Sequence, residues 1–146
     1  MKRIDHIGIA VPSIEEAIPF YRDVLGLEME GEEVVEGQQV RVAFFAIGGS
    51  RIELLEPTSD RSPIAAFLRK RGAGIHHIAY ECADLDDRLE SLAREGVRLI
   101  DRRARRGAHG MRIAFLHPKG SGGVLTELCE GSGPRGDAGS ADSPRG

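Results

Sequence analysis

Tryptophan is absent, and only five phenylalanines and two tyrosines are spread over 146 residues. Without aromatic side chains interleaved among its basic residues, the chain lacks the stacking surface that single-stranded nucleic acid requires. Cysteine is scarce too. Cys82 and Cys129 are the only two, each inside an apolar stretch and far from a CxxC spacing, which excludes a disulfide framework and places both in the core of a reduced protein. No apolar run approaches the roughly twenty residues that cross a bilayer. Lys2 and Arg3 lead into Asp5 and His6 rather than into an uninterrupted apolar segment, so no secretory signal is expected and the chain reads as cytosolic. A dominant charge is missing as well: 20 basic side chains face 23 acidic ones, a formal charge of -3. No strong overall field therefore draws the protein to nucleic acid or to an anionic membrane.

What is present is an ordinary globular balance, 40% hydrophobic and 29% charged, in a chain long enough to bury roughly two-thirds of its extended surface. Residues 131–146 consist only of Gly, Ser, Pro, Ala, Asp and Arg. With nothing large and apolar to bury, they are expected to form a flexible tail without chemistry. The expected domain is residues 1–130.

That domain repeats itself. Ile4-Asp5-His6-Ile7 matches Ile75-His76-His77-Ile78 at an offset of 71, and Val40-Arg41-Val42-Ala43-Phe44-Phe45 matches Met111-Arg112-Ile113-Ala114-Phe115-Leu116 at the same offset. Glu53-Leu54-Leu55-Glu56 matches Glu127-Leu128-Cys129-Glu130 at 74. The three extra residues fit the turn-rich segment His117–Gly123. Two repeats, about 1–58 and 73–130, follow.

Each repeat reads β-α-β-β-β. Strands are expected at 3–11, 40–47, 51–56, 75–82, 97–101, 111–116 and 123–129 from their β-branched and aromatic content and their bounding turn residues. Ser13 with Glu16 forms a capping box, Ile14, Ala17, Ile18, Tyr21 and Leu25 make one helical stripe, and Gly26 stops it. Pro19 interrupts that helix and should kink it. In the second repeat Asp84 is the expected cap, Leu85, Leu89, Leu92 and Ala93 the stripe and Gly96 the stop. A further helix over 63–71, capped by Ser62 and ended by Gly72, separates the repeats.

Strand alternation puts His6 on a face with Ile4 and Gly8, and His77 on a face with Ile75 and Ala79. Small neighbours beside each imidazole leave room for a ligand. His76 points the other way and corresponds to Asp5, so the functional role falls to His77. Glu53 and Glu127 sit in apolar strands, where a carboxylate is costly unless paired or metal-bound. A strand histidine is often a satisfied structural residue and a strand glutamate often faces solvent, but a duplication keeping only core residues has no reason to repeat both polar types in register. If the repeats pack about a pseudo-twofold axis, His6, Glu53, His77 and Glu127 converge. Two nitrogens and two carboxylate oxygens suit Co²⁺, Zn²⁺, Mn²⁺ or Ni²⁺.

Arg102, Arg103, Arg105 and Arg106 crowd four guanidinium groups into five residues before Gly107-Ala108-His109-Gly110. They read as a solvated basic loop; the alternative is that some of them, with Lys119, meet the phosphates of a large anionic substrate.

The segments Ile4-Asp5-His6-Ile7-Gly8-Ile9-Ala10, Gly74-Ile75-His76-His77-Ile78-Ala79, Phe115-Leu116-His117-Pro118-Lys119 and Gly123-Val124-Leu125-Thr126-Glu127-Leu128 together resemble the methylmalonyl-CoA epimerases of the vicinal oxygen chelate superfamily, over residues 3–130. The resemblance implies an α+β fold of two paired βαβββ modules forming an open, incompletely closed barrel around a divalent metal, cobalt foremost, held by His6, Glu53, His77 and Glu127. It implies inversion of the carbon between thioester and carboxylate in an acyl-CoA substrate through a chelated enolate, with Glu127 as one catalytic group, and a homodimer. Two departures stand out. Some members carry Gln where Glu53 stands, and bacterial members often carry a glutamate, taken as a catalytic base, where this chain has Val42. Valine moves no proton, so Glu36, His109 or a water molecule remain for that role.

Within the same fold a glyoxalase acting on a glutathione hemithioacetal needs similar chemistry. An extradiol dioxygenase holds Fe(II) with two histidines and one carboxylate, and a fourth protein ligand disfavours it. A metal-free module that binds small molecules would lack the quartet.

Overall fold

The computed structural model describes residues 1–131, so the expected tail lies outside the described residues except for Gly131. The described residues divide into two compact units, one running His6–His76 and the other combining Met1–Asp5 with residues 77–131.

The first unit contains β1 (Arg3–Ala10) from His6 onward, α1 (Ile14–Ile18), β2 (Glu28–Val35), β3 (Val40–Ile47), β4 (Ser50–Pro57) and α2 (Pro63–Arg71). Its strands are ordered β2-β3-β4-β1, with β1 parallel to β4 and the other pairs antiparallel. The Ser13 cap is as expected, its side chain accepting the Glu16 N–H at 3.2 Å. From Pro19 the helix widens into a π-helix over Pro19–Val24, with the Leu25 N–H donating to Phe20 O at 2.9 Å. Proline has no N–H to give to the preceding turn, and the wider winding accommodates it without a break. Ser62 also caps as expected, accepting from Ile64 N–H at 3.1 Å, and α2 closes at Gly72 with φ 78°.

β2 falls in none of the stretches where the sequence predicts a strand. This strand is acidic and largely solvent-facing, and it bulges between Met29 and Gly31. It therefore lacks the apolar signal by which the other strands are legible.

The second unit contains β5 (Gly74–Glu81) from His77 onward, α3 (Leu85–Arg94), the short β6 (Arg105–Arg106), β7 (Arg112–Leu116) and β8 (Thr126–Glu130), ordered β5-β8-β7-β6. Met1–Asp5 joins it through Lys2 N–H to Glu81 O at 2.8 Å and Arg3 Nε to Glu81 at 2.7 Å. Three expectations are corrected here. Residues 97–101 form no strand, only a Leu99–Leu116 bridge. The Ile100 and Asp101 N–H groups both donate to Phe115 O, and two consecutive donors on one carbonyl cannot continue an extended ladder. The strand expected at 123–129 starts at Thr126 instead, because Gly122 and Gly123 both take left-handed φ in the preceding turn. Asp84 does not cap α3: it is left-handed (φ 55°) and its own N–H donates to Glu130 Oε2 at 2.9 Å.

Both units show the βαβββ order, and their registers correspond. Gly8 faces Glu53 across β1–β4 as Ala79 faces Glu127 across β5–β8, and Phe44 faces Glu53 as Phe115 faces Glu127. One face of each sheet packs on a helix. Ile14 meets Ala43, Phe45 and Leu54 in the first unit, and Leu85 and Leu89 meet Ala114, Leu116 and Leu128 in the second. Each fully buried large apolar side chain is worth about 1.5–3 kcal/mol. Alternation then sends Phe44 and Glu53, or Phe115 and Glu127, to the opposite face.

Candidate metal centre

His6, Glu53, His77 and Glu127 are all buried, each 4–5% exposed. In the first unit His6 Nδ1 lies 3.2 Å from Glu53 Oε2. In the second, His77 Nε2 lies 3.0 Å from Glu127 Oε1. Burial of a carboxylate is tolerable only with such a partner, and each pair presents one nitrogen and one oxygen donor of the kinds that borderline divalent metals take. The structure thus brings the expected residues together two by two. The donor chemistry fits a metal.

In each unit a phenylalanine faces the glutamate across the ladder, Phe44 opposite Glu53 and Phe115 opposite Glu127. The Phe115 ring meets the His77 ring edge-on, centroids 5.4 Å apart at 83°. Its N–H donates to Asp101 Oδ2 at 2.9 Å, and Asp101 also holds Arg105 at 3.2 Å, whose guanidinium lies 5.7 Å from the Phe115 ring centre. In the first unit Arg51 Nε and Nη2 both approach Glu53 Oε2 at 3.4 Å, and its guanidinium lies 5.9 Å from the Phe44 ring centre. The sequence alone assigns none of these residues a supporting role at the site. Phe44 and Phe115 carry a signal there, since they recur at the offset of 71. Arg51 carries none beyond its place two residues before Glu53.

His76 is half-buried and packs its ring edge-on against Phe67 at 5.0 Å. Val42 is buried on the face of Phe44. Glu36 stands exposed on the turn Glu36–Gln38, and His109 stands exposed with a left-handed φ of 60°. Arg102, Arg103, Arg106 and Lys119 are exposed. Both cysteines are free and buried. Burial pushes the Cys129 thiol far up, with the negative charges of Asp5, Glu127 and Glu81 adding to it, and burial also raises Cys82. Neither is a nucleophile near neutral pH.

The model of the glyoxalase/bleomycin resistance protein/dioxygenase superfamily matches residues 5–115. The mitochondrial methylmalonyl-CoA epimerase of Mus musculus is 40% identical over 127 residues, covering 86% of this chain and 71% of that protein. The chain belongs to the methylmalonyl-CoA epimerase family of this superfamily. Two solved epimerase structures, one from Streptomyces coelicolor with 2-nitronate-propionyl-CoA and one with methylmalonyl-CoA and NH4+, each align at TM-score 0.87 and 44% identity, covering 91% of this chain and 96% of theirs. The α+β fold with two βαβββ modules expected for this epimerase family is therefore the fold observed.

Proposed function

We propose that the chain epimerises methylmalonyl-CoA, with His6, Glu53, His77 and Glu127 as the ligands of one divalent ion. The observation that supports this reading is the recurrence of a buried histidine–carboxylate pair at the same register in both modules. The family's relatives named for this activity support the substrate class. The ion, when bound, would act as a Lewis acid toward the thioester and carboxylate oxygens of the substrate.

The chain's own residues do the rest. His6 and His77 fix the donor geometry, the latter ring being held by Phe115. Glu127 is the group that takes or returns the α-proton, since a carboxylate within reach of the reacting carbon can act as general base. Inversion needs a second group on the opposite face, and Val42 cannot be it. Glu36, His109 or a water molecule serves there. Cobalt is the ion we favour, with zinc, manganese and nickel also suited to the donor set. We read the chain as a cytoplasmic homodimer, for which exposed Phe20, Val24 and Leu25 provide apolar surface. Among the described residues no helix is long and apolar enough to cross a membrane.

The test combines elemental analysis with an exchange assay. One divalent ion per chain and solvent-deuterium uptake at the α-carbon of methylmalonyl-CoA support the proposal. Turnover of a glutathione hemithioacetal in place of that exchange would make the protein a glyoxalase.

A further inference from the structure

The two buried glutamates occupy equivalent positions in unequal surroundings. Glu53 receives Arg51 from its own strand, with both Nε and Nη2 at 3.4 Å from Oε2. At the offset of 74 that relates Glu53 to Glu127, Leu125 stands where Arg51 stands, and Leu125 packs in a hydrophobic cluster with Ala79, Ile113 and Phe115. An arginine also lies over the phenylalanine opposite each glutamate, but the two differ in what they bind. Arg105, over Phe115, comes from β6 and gives its Nε to Asp101. Arg51, over Phe44, gives its Nε to Glu53. Arg51 is moreover the direct partner of His6 across β1–β4. Because Arg51 and Glu53 are two residues apart in one strand, imidazole, carboxylate and guanidinium share one face.

We propose that Arg51 is a positioning residue that acts through Glu53: held at Oε2 beside His6, it offsets the carboxylate's charge, so that Glu53 serves as a charge-balanced ligand while Glu127 moves the proton. The assignment rests on the epimerase reading above. Two carboxylates alone would neutralise a divalent ion. Arg51 leaves the centre with one further positive charge, which suits a substrate that brings a free carboxylate and develops more negative charge at the transition state.

The test needs no substrate in its first arm. Metal-free Arg51→Gln, Glu53→Gln and the double variant are titrated with Zn²⁺ against a chromophoric chelator, with circular dichroism and thermal melting as folding controls. Removing a cation close to the ion should tighten Zn²⁺ binding about tenfold in Arg51→Gln, and removing the anion should weaken it at least tenfold in Glu53→Gln. The double variant, which restores the net charge, should fall between the two single variants. In the second arm, Arg51→Gln lowers kcat for methylmalonyl-CoA about tenfold with little change in KM, and Arg51→Lys restores most of it. Weaker Zn²⁺ binding in a folded Arg51→Gln protein would overturn the proposal. So would unchanged affinity and kcat, or a rise in KM alone, which would mark Arg51 as a contact for the substrate carboxylate. If Arg51→Gln does not fold, Arg51→Lys decides: wild-type Zn²⁺ affinity and kcat sustain the proposal, and loss of either overturns it. A wild-type protein that binds Zn²⁺ as described but leaves methylmalonyl-CoA unchanged refutes the epimerase reading and not the role of Arg51 toward Glu53.

Discussion

Phe115 and Glu127 are direct partners across the β7–β8 ladder. The pairing places the carboxylate beside His77, whose ring the same phenylalanine meets edge-on. Glu127→Ala should leave the fold intact, since β8 keeps its ladder, and should abolish exchange of the substrate α-proton with deuterium. Persistent exchange measured by NMR would remove Glu127 from the mechanism.

Metal content separates the two half-sites from a purely structural pairing. His77→Ala should reduce the bound ion from about one per chain to a small fraction, measured by elemental analysis after gel filtration. Chelation of the wild-type protein should lower its melting temperature, because an ion bound only by the folded state stabilises that state by mass action. An ion content unaffected by the substitution would place the metal elsewhere.

Cys82 and Cys129 should resist alkylation in the native protein near pH 7.5, because burial raises both thiols and the thiolate is the reactive form. A thiol reagent should label two groups per chain in denaturant and almost none without it. Fast native labelling of either would contradict its burial.

His117 titrates below the ordinary histidine range, first because of desolvation and then because Arg98 and Lys119 oppose a further positive charge. Its neutral Nδ1 also accepts the Lys119 N–H at 3.0 Å. A lowered value in the folded state means that the unfolded chain binds the proton more readily. The contribution of His117 to stability is thus intact above about pH 6.5 and is lost as pH falls below it. Histidine NMR should find this midpoint under about 6.5, and Lys119→Gln should move it upward; a downward shift would refute the electrostatic cause.

Leu89 fills the space beneath α3 against the second sheet and is 2% exposed. Leu89→Ala should cost about 2–5 kcal/mol in urea unfolding. A cost below about 1 kcal/mol would mean that this interface is not close-packed.

Much of this was legible along the chain. The offsets of 71 and 74 located His6, Glu53, His77 and Glu127, and strand parity alone set which neighbours share a face with each. The caps at Ser13 and Ser62 follow from short-range hydrogen bonding, which a few consecutive residues specify. Other features depend on partners distant in sequence. Residues 97–101 have strand composition yet form only a bridge, because two adjacent N–H groups converge on Phe115 O. Asp84 has the chemistry of a cap, but Glu130 takes its N–H and the backbone turns left-handed. Arg51 reads as an ordinary strand arginine until β1 and β4 align it with His6 and Glu53. Periodicity says which way a side chain points. Only the register between strands says what it meets, and that register is a property of the folded sheet.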